Sequence, residues 1–236
     1  MKVSVVIPSL NEEKYIGKCI KSIVDQKIKA EIIVVDSKSE DKTTEIALQY
    51  ATKVVTGKVG NISINRQLGA EISTGDVIVT ADADTIYPKD WLERIVKYFE
   101  EDERIVAVSG PTIPIREESV FMDRFFYLLG NLSLIILHRL GVVWFRGSNS
   151  AYRREAFFKS GGYDPKLEAR EDSDLSKKVA KFGKTIFDWN IVAMTSMRRR
   201  EATGWLKTLR YYIDTPIYLV TKKFYYERPE KKEKTI

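Results

Sequence analysis

Two aspartates separated by one alanine, Asp82 and Asp84, follow directly on an apolar run in "GDVIVTADADTIYP", Gly75 to Pro88. Like charges this close repel unless a proton or a cation intervenes. Hard divalent ions such as Mg2+ and Mn2+ take oxygen ligands, and magnesium is commonly held by one or two carboxylates together with substrate phosphates. The pair therefore suits a metal that in turn holds a diphosphate. Taken alone, the same spacing also serves a loop whose acids cap a helix.

Two later stretches add candidates. "FRGSNSAYRREAF" places the small-residue turn Gly147 to Ser150, with Ser148 and Asn149 at its centre, ahead of a helix expected to begin near Arg153. Small residues let a sugar or phosphate approach backbone N–H groups, although a plain turn and N-cap uses the same residues. "LEAREDSDLSKKVAKFG" puts Glu171 and Asp172 in the first turn of an amphipathic helix, where the helix dipole already favours acids. Arg198, Arg199 and Arg200 open a basic run, whereas the lone histidine, His138, sits upstream in an apolar stretch.

The elements that must position these residues alternate. "VSVVIP" (Val3 to Pro8), "EIIVVD" (Glu31 to Asp36), "KVVT", "DVIVTADAD" and "RIVAVSG" read as strands. Between them lie helical patterns: one capped by Asn11, one capped by Ser39, one ending at Gly75, and one with Pro88 in its first turn. Strand–helix repeats with continuous apolar strands predict an α/β fold, a mostly parallel sheet covered on both faces. Ligands bind such sheets beyond the carboxyl ends of the strands, which aligns Pro8 to Glu12, Asp36 to Ser39 and Asp82 to Asp84 along one edge.

In that order, "VVIPSLNEEKYI", "IIVVDSKSEDKT", "NRQLGAEISTGDVIVTADAD" and "GSNSAYRREAFFKSGGYDPKLEAREDSDLSKKV" resemble the inverting family-2 glycosyltransferases over roughly Lys2 to Ala193. The resemblance implies a GT-A type nucleotide-sugar-binding domain over residues 1–197. Residues 1–110 would form its nucleotide-binding half and 111–197 its acceptor half, with 198–236 a basic amphipathic C-terminal helical extension. It implies that Pro8, Leu10 and Glu12 bracket base and ribose, that Asp36 accepts from the base, and that Arg66 belongs to the nucleotide-sugar site. Gln67 stands where the family commonly has asparagine, while Gly69 is kept. Asp82 would face ribose and metal, and Asp84 would be the direct ligand of Mg2+ or Mn2+. Gly147, Ser148, Asn149 and Glu171 would meet the acceptor, Asp172 would be the general base, and Arg198 would close on the diphosphate. The donor would be a nucleotide-diphosphate sugar and the acceptor lipid-linked or a glycan, as a sugar hydroxyl or a polyprenyl phosphate.

Composition constrains the rest. The formal charge is +6, yet residues 198–236 carry 11 basic and 5 acidic residues, which is the whole excess. That asymmetry points to an anionic partner, and with aromatic residues interleaved it fits an anionic membrane surface. The stretch "FMDRFFYLLGNLSLIILHRLGVVWF" is apolar apart from a narrow stripe of Asp123, Arg124, Tyr127, Asn131 and His138. Its uncharged core would be about 20 Å long as a helix, short of a bilayer span, so it is either a core helix under the acceptor site or an interfacial one. A single cysteine, Cys19, leaves no internal disulfide or cysteine metal cluster. The chain opens on a strand with no leader pattern, which predicts a cytoplasmic protein peripheral on the cytoplasmic face of the membrane. The abundance of Lys, Glu and Ile leans toward a thermophile. A non-catalytic nucleotide-sugar-binding module would have little use for a third carboxylate at position 172. A sugar nucleotidyltransferase would carry a glycine-rich basic signature where "PSLNEEKY" stands, and a nucleic-acid reader motif is absent.

Overall fold

The computed structural model describes residues 1–167 and 169–198. In chain order the elements are β1 (Val3–Ser9), α1 (Ile16–Val24), β2 (Ala30–Asp36), α2 (Thr43–Leu48), β3 (Lys53–Thr56) and α3 (Ile62–Ile72). They continue with β4 (Val77–Ala81), β5 (Thr85–Ile86), α4 (Trp91–Glu101), β6 (Ile105–Ser109) and β7 (Thr112–Pro114). The remainder adds α5 (Phe121–Arg139), β8 (Asn149–Arg153), α6 (Arg154–Lys159), α7 (Glu171–Val179), β9 (Lys184–Phe187) and β10 (Ala193–Thr195). The proposed extension from residue 199 onward lies outside the described residues.

The main sheet has seven strands in the order β3-β2-β1-β4-β8-β6-β9, and β5-β10-β7 form a small second sheet. The strands β3, β2, β1 and β4 run parallel, and β8 enters antiparallel between β4 and β6. Alternation along each strand divides the core. Val3, Val5 and Ile7 of β1 with Val77, Val79 and Ala81 of β4 pack on one face against α1 and α4. Val6 and Ile78 join Ala70, Tyr152, Phe157 and Leu175 on the other. Helix α1 shows the matching period, burying Ile16, Cys19, Ile20 and Ile23. Helix α3 lies so close to β1 that a Cβ on Gly69 would fall 2.3 Å from Val6 Cγ1, which explains the glycine there.

Four sequence expectations need correction. Asn11 does not cap α1, whose N-cap is Tyr15; it adopts φ 54° and its Oδ1 accepts from Glu40 N at 2.9 Å, joining the loops after β1 and β2. Ser39 does not cap α2 but donates to Asp36. Pro88 precedes α4, which starts at Trp91. Most consequentially, Asn149 and Ser150 belong to the central strand β8 and not to a turn before a helix, and α6 begins at Arg154. "NSAYR" looks too polar for a core strand, but the buried Asn149 and Ser150 side chains find partners in the elements around it, such as Ser150 Oγ on Arg146 O at 2.5 Å.

Candidate active site

The parallel strands deliver their carboxyl ends to one edge. Asp36, the last residue of β2, is buried; its Oδ1 accepts from Ser9 Oγ at 2.9 Å and Ser39 Oγ at 2.6 Å, and its Oδ2 accepts from Ser39 N at 2.8 Å. Asp36 therefore clasps the β1 and β2 exits together, a task its position alone did not announce. Of the residues expected around the base, Pro8 is half-buried within β1 and Leu10 is exposed. Glu12 turns inward, donating its own N–H to Thr43 Oγ1 at 2.6 Å.

Asp82 and Asp84 sit just past β4 in a loop fixed from below. Tyr87 O–H accepts from Asp82 N at 3.1 Å and donates to Ser148 O at 2.9 Å, and its ring stacks on Trp91 with centroids 3.9 Å apart. Cys19 Sγ donates to Asp82 O at 3.3 Å. Burial pushes the Tyr87 hydroxyl and the Cys19 thiol well above their usual pKa, so both stay protonated supports. Sequence reasoning missed this girder; the spacing of an aromatic five residues beyond Asp82 was its one visible trace.

Asp84 Oδ2 accepts from Arg198 Nε at 2.9 Å, and the same guanidinium bonds Glu12 Oε1 and lies 5.7 Å from the Tyr15 ring centroid. Strand β10 brings it there, since Ser196 N donates to Asp84 O at 3.0 Å. Arg198 thus bridges the two carboxylates at the mouth. Burial pushes the Glu12 carboxyl up to about 8; Arg198 pulls it down, while the charges of Asp84 and Asp82 push it further up. Its Oε2 is buried without a hydrogen-bond partner.

Do these residues fit a divalent cation? The donor set is all oxygen, the mouth holds more negative charge than Arg198 relieves, and one Glu12 oxygen is unsatisfied. Among the described residues no three His, Cys, Asp or Glu side chains converge as a closed metal cage. A site with so few protein ligands would need substrate phosphates to complete it, as magnesium sites commonly do. The oxygen donors are compatible with such an ion, and Asp84 and Asp82 would be the holders.

The expected acceptor residues divide. Asp172 is half-buried at the start of α7, with Oδ2 accepting from Gly147 N at 2.8 Å and Oδ1 from Ser173 N at 2.7 Å. The preceding Arg170 holds φ 62°, an uncommon left-handed conformation that turns the chain sharply into the helix. Gly147 lines the same corner, whereas Ser148 meets Tyr87 and Thr112 and the Asn149 side chain does not reach it. Asn149 is fully buried; its Nδ2 donates to Pro111 O at 3.0 Å and Ile191 O at 2.7 Å, and its Oδ1 accepts from Trp91 Nε1 at 2.8 Å. It pins β8 to the small sheet, which corrects its expected contact with an acceptor.

Arg66 and Glu171 are a second correction. Arg66 is 3% exposed and Glu171 is as deeply buried, so neither is an open ligand-binding group. Arg66 Nη1 donates to Glu171 Oε1 at 2.6 Å and Nη2 to Asp82 Oδ1 at 2.6 Å. Burial works against the guanidinium charge, but Asp82 and Glu171 beside it hold its proton more firmly than usual. Gly147 is required where it stands, because a Cβ there would lie 2.0 Å from Arg66 Nη1. Gln67, the departure from the family pattern, accepts from Tyr163 N through Oε1 at 2.9 Å and so ties α3 to the loop before α7.

The arrangement is an acidic cleft edge with the Asp82 and Asp84 pair, a carboxylate, Asp172, oriented by backbone donors, and a buried arginine that joins Asp82 to Glu171, the residue before Asp172. Comparison with known proteins bears on the family and the fold. The chain is 29% identical over 192 residues to the glucosyl-dolichyl phosphate glucuronosyltransferase of Haloferax volcanii, covering 76% of this chain and 61% of that protein. It is 33% identical over 205 residues to the probable glycosyltransferase YdaM of Bacillus subtilis, covering 77% and 47%. The chain thus spans roughly half to three fifths of the length of these relatives. Among solved structures, a mannosyltransferase from Pyrobaculum calidifontis in complex with GDP-Man and Mn2+ superposes with a TM-score of 0.71 at 21% identity, over 97% of this chain and 66% of that one. S. aureus TarS 1-349 in complex with UDP-GlcNAc gives 0.66 at 18%, over 98% and 69%. Both likenesses concern the fold, which is of the GT-A type. Residues 4–161 match the model of glycosyl transferase family 2, and the chain belongs to that family.

Proposed function

We propose that this chain transfers a sugar, with inversion, from a nucleotide-diphosphate sugar to an acceptor carried on a lipid at a membrane surface. The observation that carries the reading is the single buried arginine that joins Asp82, on the donor side, to Glu171, the neighbour of Asp172 on the acceptor side. Donor and acceptor carboxylates are thereby held in one frame. A Mg2+ or Mn2+ ion held by Asp84 and Asp82 would supply neutralising charge at the diphosphate. The β1 and β2 exits, clasped by Asp36, provide the base and ribose walls. Arg198, already at Asp84, is placed to meet the departing diphosphate with positive charge. Asp172, its two oxygens aimed by Gly147 N and Ser173 N, takes the proton from an acceptor hydroxyl as the new bond forms. One displacement without a covalent intermediate inverts the anomeric centre.

The lipid acceptor is supported by the H. volcanii relative, whose name specifies a dolichyl phosphate carrier. Among the described residues no helix is long and apolar enough to cross a membrane.

The decisive experiment is thermal unfolding with UDP-, GDP- and dTDP-sugars, each with and without Mn2+. One nucleotide class should raise the melting temperature in a metal-dependent manner, and Asp84→Asn should remove the metal dependence while leaving the unliganded melting temperature in place. Absence of any metal-dependent shift across the three classes overturns the reading.

A further inference from the structure

Helix α5 is built inside out. Three of its polar residues face the protein: Asp123 and Asn131 are buried, and His138 Nε2 meets Thr185 Oγ1 at 2.9 Å. Asp123 Oδ2 accepts from Val120 N at 2.9 Å and closes the first turn. Asn131 donates to Thr112 O at 2.9 Å and accepts from Arg146 Nη1 at 2.6 Å. The opposite side carries Phe121, Met122, Phe125, Leu128, Leu129, Leu132 and Ile136, each between 41% and 72% exposed. At 100° per residue these seven fill an arc of about 120°, continued by Leu140 beyond the helix end. Water-soluble surfaces rarely carry an apolar patch of this continuity without a partner for it.

We propose that this face of α5 docks on an anionic lipid bilayer, lying in the headgroup and upper acyl region. The inference rests in part on the lipid-surface reading above, and names the surface responsible. Three observations select the bilayer. First, in the segment 116–139 that carries the patch, the exposed ionic residues are Arg116, Arg124 and Arg139 against the one acid Glu117. A basic rim complements anionic headgroups, whereas a self-complementary contact with a second copy sets like rim against like rim. Secondly, the chain beyond the described residues is itself basic, so covering α5 with it would gather like charges, while both can face the same lipid surface. Thirdly, the helix adjoins the acceptor corner: Asn131 holds Arg146, whose neighbour Gly147 donates to Asp172. A lipid-anchored acceptor reaching Asp172 has its anchor beside this helix.

The test is flotation of the full chain with vesicles of phosphatidylcholine and phosphatidylglycerol, and with phosphatidylcholine alone. The unaltered chain should bind the anionic vesicles, and Phe125→Ser/Leu129→Ser/Leu132→Ser should weaken binding by at least about tenfold. Leu48→Ser, at an exposed apolar position on α2, should leave it unchanged. Because those three serines replace exposed residues, melting temperature and donor-induced shift should be retained, which separates loss of docking from loss of the nucleotide-sugar site. A second readout needs no loss of binding: Leu132→Cys carrying an environment-sensitive fluorophore should shift to the blue on anionic vesicles, Cys19 being buried and unlabelled. Equal vesicle binding by the triple variant, no blue shift at position 132, or conversion of an oligomer to monomer without loss of flotation would each overturn the proposal.

Discussion

Arg66 Nη1 lies 2.6 Å from Glu171 Oε1 across 105 residues of sequence, both side chains almost wholly shielded from water. The pair joins α3 to α7, and through Asp82 it also fixes the end of β4. A buried pair stripped of one partner leaves an uncompensated charge, a cost of about 3–5 kcal/mol. Arg66→Ala should therefore destabilise by roughly that amount in urea unfolding, since Glu171 and Asp82 both lose the guanidinium between them. Arg66→Lys, one ammonium in place of a two-armed fork, should keep more stability yet fail to serve both carboxylates. A loss below about 1 kcal/mol for Arg66→Ala would show that the tie does not organise the cleft.

The parallel half of this fold was readable because β1, β2 and β4 are covered on both faces and therefore appear as unbroken apolar runs. Their carboxyl ends then had to bring Asp36, Asp82 and Asp84 to one edge. The acceptor half was less readable. Strand β8 hides behind Asn149 and Ser150, whose polarity suggests a turn until the loops that satisfy them are seen. Arg66 has the charge of a ligand-binding group, and nothing in its spacing reveals that two carboxylates consume it. Tyr87 and Trp91 carry no chemistry of their own, so their support of the Asp82 loop left no trace beyond the spacing of Tyr87 from Asp82. The apolar stripe of α5 was evident, but period alone does not say which side of a helix faces out.

Gly147→Ala provides a sharper probe of the same frame. The added methyl would come within 2.0 Å of Arg66 Nη1, and that guanidinium is pinned at both ends. Either Arg66 shifts and loosens Glu171, or the loop retreats and withdraws the Gly147 N–H from Asp172. Both routes should reduce kcat by about tenfold or more with a smaller change in KM for the donor, since a displacement near 1 Å can cost a hundredfold. Combined with Arg66→Lys, the two effects should fall short of their sum, because both act on one contact. Strict additivity would place the lesion elsewhere.

Acid stability should report on the opposite edge of the sheet. Burial works against the Glu31 carboxylate, but Lys53 at 2.8 Å, Ser4 Oγ at 2.5 Å, and Thr74 through its N–H and hydroxyl pull it down to about 2. A carboxyl held below its unfolded value of 4.5 stabilises the fold above that pH, and the contribution is lost as pH falls from about 4.5 to about 2. Glu31→Gln should therefore be less stable at pH 7 by about 1–3 kcal/mol, and the difference from the unaltered chain should narrow through that window. Unfolding curves at pH 7, 4 and 2.5 measure it; a gap that stays constant would mean that Glu31 is not the titrating tie.

Asp172→Asn distinguishes the two kinds of lipid-linked acceptor. Both Asp172 oxygens accept from backbone N–H groups, at 2.8 Å and 2.7 Å. An asparagine keeps one acceptor and must turn its amide N–H2 toward the other donor, so it loses a positioning bond along with the basic oxygen. With a sugar hydroxyl as nucleophile, proton removal accompanies bond formation, and turnover should fall by about a hundred- to ten-thousand-fold while the donor-induced thermal shift persists. A lipid phosphate is already ionised near neutral pH and needs no base. Turnover on such an acceptor should then drop only by the tenfold or so expected of lost alignment. Parallel assays on the two acceptor classes, in the presence of Mn2+ and the donor identified by thermal shift, separate these outcomes. Undiminished turnover on a hydroxyl acceptor would remove Asp172 from the role of base.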